Sequence, residues 1–179
     1  ISTMKTIIKK EELRKIILKK RLAKNSIKTS SLIVSKIINS KDFIQADNIA
    51  LYYPIKNEID ITPILKIKNK NFYLPRCNNQ ELEFVKFTGI NSLKKGAFGI
   101  FEPIGKKINP AILDLIYTPA LAANSSFFRL GYGKGFYDRF FSNNQIKAKK
   151  IIVISSEFFT NDFIQDPFDV ALDGIISEK

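Results

Sequence analysis

The 179-residue chain is 45% apolar and carries 29 lysines and arginines against 17 acids, a formal charge of +12. That length fits one domain on the usual scale of about 150 residues, and the charge favours anionic partners such as nucleotides, polyglutamates or nucleic acid. Having no histidine excludes His-based triads and His-bearing zinc sites, and the lone Cys77 excludes an intramolecular disulfide.

No window approaches the roughly 18 to 20 apolar residues of a membrane helix, and no secretory leader is visible, so a cytoplasmic protein without membrane contact is expected. Residues 1–3 precede Met4 and read as an expression remnant; the remainder of 1–179 reads as one domain. Much of the excess charge lies in residues 1–30, where Lys5, Lys9, Lys10, Arg14, Lys15, Lys19, Lys20, Arg21, Lys24 and Lys28 face only Glu11 and Glu12.

From about Lys9 to Lys24, Leu13, Ile16, Ile17 and Lys20 follow at helical spacings of three and four. Lys10 and Arg14 share one face of that helix, one turn apart, and would there grip one polyphosphate. The plainer alternative is a solvated basic face, and a third is a basic amphipathic helix touching membrane or RNA. Ser31 is the expected cap of a second helix carrying Leu32, Ile33, Ile37 and Ile38.

The run 48–54, ended by Pro54, reads as a buried strand, and Thr62-Pro63 reads as the start of a helix through Lys68. Glu58 falls on the connection between them, at the edge where open α/β sheets bind ligands; an ordinary loop carboxylate is the alternative. Residues 71–75 form a second strand, and 81–87 alternate strictly as a half-exposed strand does. A turn-rich stretch ends in Phe101-Glu102-Pro103. Residues 113–119 and 150–154 are further core strands, a short helix is expected from Tyr137 to Phe141, and a last strand spans 169–176 with Asp169 at its start. Strands alternating with helices argue for an α/β layered fold around a mostly parallel sheet, with 81–87 as an antiparallel excursion.

Between the third and fourth core strands lies Arg129-Leu130-Gly131-Tyr132-Gly133-Lys134-Gly135-Phe136-Tyr137-Asp138. Alternating glycines let a backbone turn tightly and present N–H groups to an anion, with phosphate the natural guest. Arg129 and Lys134 add full positive charges, and Asp138 is placed to hold a hard cation bridging phosphate oxygens. It is neither a Walker A loop nor the dinucleotide fingerprint. By spacing alone, a glycine-rich turn with solvated charges fits equally well.

The wording of this stretch closely resembles the signature of the 5-formyltetrahydrofolate cyclo-ligase family, also called 5,10-methenyltetrahydrofolate synthetases. The opening Lys10-Glu-Glu-Leu-Arg14, Phe101-Glu102-Pro103 and Leu113-Asp114-Leu115 resemble further family landmarks. The resemblance implies a Rossmann-like three-layer α/β/α fold and a magnesium-dependent ligase. That enzyme uses ATP to turn 5-formyltetrahydrofolate, free or polyglutamylated, into 5,10-methenyltetrahydrofolate with ADP and phosphate. It implies ATP contacts from Lys10, Arg14, Arg129, Gly131, Gly133, Lys134, Gly135, Phe136 and Tyr137, with Arg129 and Lys134 neutralising charge in phosphoryl transfer. Tyr53, Glu58 and Tyr132 would contact the folate, and Asp138 and Asp169 would hold the magnesium. A monomer with no nucleic-acid partner is expected.

The chain also departs from the family pattern. Where the family tends to write Pro-Gly-Leu-Ala-Phe-Asp-x-x-Gly-x-Arg, residues 119–129 keep the length but place Asn124 for the aspartate and Phe127 for the second glycine. Phe127 is expected to change the turn, Asn124 to lose a loop-orienting charge, and Phe136 to lose the hydroxyl of the frequent tyrosine. Two rivals stand beside this reading: a basic nucleic-acid-binding protein, and an α/β enzyme acting on another phosphorylated small molecule.

Overall fold

Alternating apolar residues set the architecture, because strands buried on both faces send successive side chains into two separate cores. The computed structural model describes residues 7–55 and 57–179. Residues 1–3, read above as an expression remnant, and Lys5 and Lys56 lie outside those described. The chain runs α1 (Lys10–Leu22), α2 (Ile27–Ile38), α3 (Lys41–Gln45), β1 (Asn48–Ala50), β2 (Asn71–Asn78) and β3 (Glu81–Lys86). There follow β4 (Leu93–Lys95), β5 (Phe101–Pro103), β6 (Leu115–Pro119), β7 (Ala122–Ala123), β8 (Arg129–Leu130), α4 (Phe136–Asn143), β9 (Lys149–Val153) and β10 (Gly174–Ile176).

The main sheet has the order β10-β9-β6-β1-β2-β3. Every neighbouring pair is parallel except β2 with β3, so the alternating segment is the antiparallel excursion expected. Ile49, Leu51, Phe72, Leu74, Leu115, Tyr117, Ile151 and Val153 pack on one face with Ile33 and Ile37 of α2 and Phe43 of α3. Ala50, Tyr73, Ile116 and Ile152 point to the other face, where Phe140 of α4 meets both Phe84 and its neighbour Phe141 edge-on. Each fully buried aliphatic of this set contributes about 1.5–3 kcal/mol. Helices on both faces of a mostly parallel sheet are the layered fold predicted.

Several boundaries differ from the sequence expectations. The second helix begins at Ile27, not after Ser31, which lies inside it. The first strand closes at Ala50, because the chain leaves the sheet before Pro54. Thr62–Lys66 is a 3-10 turn in place of an α-helix; Asp60 Oδ1 accepts from both the N–H (2.9 Å) and the hydroxyl (2.6 Å) of Thr62, which holds the segment as a turn. The third core strand starts at Leu115, the short helix runs Phe136–Asn143, and Asp169 lies in the loop ahead of β10 rather than in a strand.

In α1 the buried residues are Leu13, Ile17 and Arg21, a stripe at intervals of four, whereas Ile16 faces outward. Leu13 and Ile17 pack against Leu121, Ala122 and Leu130 of the β7–β8 hairpin. This contact lays the basic helix across the root of the glycine stretch.

Candidate active site

The glycine stretch leaves β8 and enters α4, so the loop ends at a helix N-terminus, where free N–H groups and the helix dipole favour an anion. Gly133 (φ 97°) and Gly135 (φ 70°) adopt the left-handed conformation that side chains resist. At Gly131 the restriction is space. A Cβ there would stand 2.9 Å from Nη2 and 3.1 Å from Nη1 of Arg129.

Arg129 is held under the loop. Its Nε donates to the Pro119 carbonyl at 2.8 Å, and its guanidinium lies 5.0 Å from the Tyr137 ring centre. Burial lowers its pKa from the usual arginine value, while the fields of Asp138, Tyr137 and Glu58 oppose that shift. From the other side, Arg14 of α1 packs over Gly133 and donates through Nε to the Gly131 carbonyl at 2.8 Å. Lys134 is exposed, with its amine 5.1 Å from the Phe98 ring centre, and pairs with no carboxylate among the described residues. Phe136 opens α4, with its ring edge-on to Phe98 and Arg139 above it.

Asp138 sits in the first turn of α4. Burial pushes its carboxyl up, Arg129 pulls it down, and the field of Asp169 pushes it up again. Lys10 Nζ donates to Asp169 Oδ2 and, at 2.8 Å, to Asp166 Oδ2. Burial lowers the Lys10 pKa, but the two hydrogen-bonded carboxylates outweigh it and hold the amine above the ordinary lysine value. Among the described residues there is no group of three or more metal-ligating side chains. Asp169, which already holds the Lys10 ammonium group, and Asp138, which lies in the field of both, suit an ion such as magnesium, which keeps water and phosphate ligands beside one or two carboxylates.

Glu58 lies on the connection after β1, and the Tyr52 hydroxyl braces that connection by donating to the Ile59 carbonyl at 2.8 Å. The Glu58 carboxylate is buried. Its Oε2 accepts from the Tyr132 hydroxyl at 2.7 Å and its Oε1 from the Ile55 N–H at 3.3 Å. Burial raises the Glu58 pKa, while Tyr132 and Arg21 oppose the shift. Tyr53 stacks obliquely on Phe101 at 5.3 Å. A cavity of about 310 Å³ is lined by Arg21, Asn57, Glu58, Ala120, Ser155 and Phe158 among others; of the predicted residues, only Glu58 borders it.

The fold therefore gathers Lys10, Arg14, Arg129, the three glycines, Tyr137, Asp138 and Asp169 about one loop, and ties Glu58 to that loop through Tyr132. Lys134 is directed to Phe98 instead. In the sequence Arg21 stands out only as one of the N-terminal cations, yet its Nη1 donates to the Tyr132 hydroxyl at 2.7 Å. The signal available was its spacing of eight from Leu13 and seven from Arg14, which continues the buried stripe.

Two expected departures resolve differently. Phe127 takes φ 64°, the left-handed conformation open to the glycine it replaces, so the turn persists at a cost in strain. Asn124 is buried and its Oδ1 accepts from the N–H groups of Ser126 and Phe128, both at 3.1 Å, so the loop is oriented without a carboxylate charge.

Residues 6–178 match the model of the 5-formyltetrahydrofolate cyclo-ligase family. A 5-formyltetrahydrofolate cyclo-ligase of Mycoplasma genitalium is 35% identical over 134 residues, covering 72% of this chain and 71% of its own. The solution structure of Aquifex aeolicus 5,10-methenyltetrahydrofolate synthetase superposes with a TM-score of 0.84 at 34% identity, over 95% of this chain and 90% of its own. A 5,10-methenyltetrahydrofolate synthetase from Mycoplasma pneumoniae gives 0.77 at 29% identity, over 96% and 100%.

Proposed function

The chain belongs to the 5-formyltetrahydrofolate cyclo-ligase family, and from that membership we propose that it converts 5-formyltetrahydrofolate and ATP, with magnesium, into 5,10-methenyltetrahydrofolate, ADP and phosphate. The observation that carries this reading is the convergence on one glycine loop of Arg14, Arg129 and a carboxylate pair, Asp138 with Asp169.

A formyl oxygen on nitrogen is a feeble nucleophile and, unmodified, a poor leaving group. Transfer of the ATP γ-phosphoryl to that oxygen gives an imidate-like phosphate; N10 then attacks the formyl carbon, loses its proton and expels phosphate. Such transfer asks the protein mainly for alignment and charge neutralisation. The loop N–H groups and Arg129 would receive the phosphates, Lys134 would leave Phe98 to join them, and Lys10 and Arg14 would hold the polyphosphate from α1. Asp138 and Asp169 would hold magnesium, which when bound supplies charge neutralisation at the phosphate oxygens. For that, Lys10 must exchange its carboxylate partners for phosphate. Glu58 would accept N–H groups of the pterin, with aromatic contact from Tyr53 and Tyr132.

The test is the growth of methenyl-product absorbance on mixing the protein with ATP, magnesium and 5-formyltetrahydrofolate. Product formation that requires all three components supports the reading. No product, together with steeply salt-dependent RNA binding, would replace it with the nucleic-acid alternative.

A further inference from the structure

We propose that Arg21 is a positioning residue for the folate substrate, holding the Glu58 carboxylate in place by acting through Tyr132. This rests on the reading of Glu58 as a folate contact. Arg21 is only 6% exposed, and its guanidinium is spread over three groups. Nε donates to the Asn57 carbonyl (3.3 Å), Nη1 donates to the Tyr132 hydroxyl (2.7 Å), and Nη2 lies 3.9 Å from Glu58 Oε2 with no hydrogen-bond partner among the described residues.

The chemistry of this chain of contacts is directional. Guanidinium only donates, so the Tyr132 oxygen must accept from Arg21 and spend its single proton on Glu58. The remaining lone pairs of the carboxylate are then left for a ligand that donates. A neutral neighbour in place of Arg21 would let Tyr132 turn, and would remove the opposing charge from a carboxylate that burial already pushes toward protonation. Among the described residues, the other groups in the field of Glu58 are Tyr52, Tyr132, Tyr137 and Arg129, of which only Arg129 carries positive charge. A buried guanidinium with one nitrogen unsatisfied weighs against stability, which points to a role other than holding the fold.

Arg21 also lies two helical turns from Arg14 on α1, and both grip the same glycine stretch, at Tyr132 and at Gly131. Removing Arg21 should therefore affect the folate end while Arg14 keeps the phosphate end in place.

The test compares Arg21→Met, Arg21→Lys and Glu58→Gln with the parent chain, reading KM for each substrate, the pH profile and thermal unfolding. Arg21→Met should raise the folate KM about tenfold, the loss of one charge-assisted contact, with the ATP KM within about twofold. The acid limb of kcat/KM for folate should move to higher pH, since Glu58 holds its proton longer. Arg21→Lys should restore the limb by returning the charge, but not the full KM, because lysine lacks the fork that spans both partners. A purely structural role would instead lower the melting temperature and depress both substrates alike, with the limb unmoved, which would overturn the proposal. Normal folate kinetics in Arg21→Met beside a defective Glu58→Gln would overturn the Arg21 role alone. Normal folate kinetics in Glu58→Gln would overturn the reading of Glu58 and this proposal with it.

Discussion

Replacing Gly131 by alanine tests the loop with a single methyl group. Gly131 has no positive φ, so alanine meets no backbone strain. The conflict is with the Arg129 guanidinium, whose Nη2, Nη1 and Cζ would stand 2.9, 3.1 and 3.3 Å from the new Cβ. Arg129 cannot swing aside freely: it is 8% exposed, bonded to the Pro119 carbonyl and stacked on Tyr137. Overpacking of this kind costs about 1–3 kcal/mol, which in a chain of this size is a fall in melting temperature of about 2–12 °C. Displacing a charged donor from the phosphate should cost a further ~1.5–3 kcal/mol in the transition state, or about ten- to hundredfold in kcat/KM for ATP. Thermal unfolding and the methenyl-absorbance assay read the two effects separately. Gly133→Ala is the control, since its Cβ would only touch Arg14 at 3.5 Å and its penalty is backbone strain of about 1 kcal/mol. A Gly131→Ala protein with parental melting and parental ATP kinetics would refute the claim that Arg129 is fixed beneath the loop to meet phosphate.

Asp138→Asn should abolish turnover yet raise the melting temperature near neutral pH. The native carboxyl has a raised pKa, so the folded state holds its proton longer and loses stability as pH rises from the ordinary aspartate range through that raised value. The gain should be larger at pH 7 than at pH 4, and an equal or reversed gain would show that the carboxylate is not strained by burial. Lys10→Met combined with Arg14→Met should weaken ATP at least tenfold in titrations while leaving folate affinity nearly unchanged; unchanged ATP affinity would return α1 to a solvated basic face. Phe127→Gly should raise the melting temperature by relieving about 1 kcal/mol of left-handed backbone strain, and a drop would mean that the ring's packing outweighs it.

The layered α/β class and the antiparallel place of 81–87 are legible in the residues alone, because two-faced burial and strict alternation are written in consecutive residues. The sequence also marked the glycine stretch and the pairing of Lys10 with Arg14 on one helical face, since close spacing fixes relative position within a loop or a helix turn. Helix and strand ends were less legible. Ser31 and Thr62 carry capping chemistry, yet Asn25, whose Oδ1 accepts from the Ile27 N–H at 3.0 Å, and the Asp60 side chain hold the starts of those segments.

Which distant groups meet is settled by the folded chain. Arg21 and Glu58 are separated by more than thirty positions and reach each other across a tyrosine of the glycine loop, and Lys10 finds Asp166 and Asp169 at the far end of the chain. A helical pattern tells which face turns inward, but not what waits there. In α1 the inward face carries an arginine, and its meaning came from the buried carboxylate that the β1 connection brings within 3.9 Å.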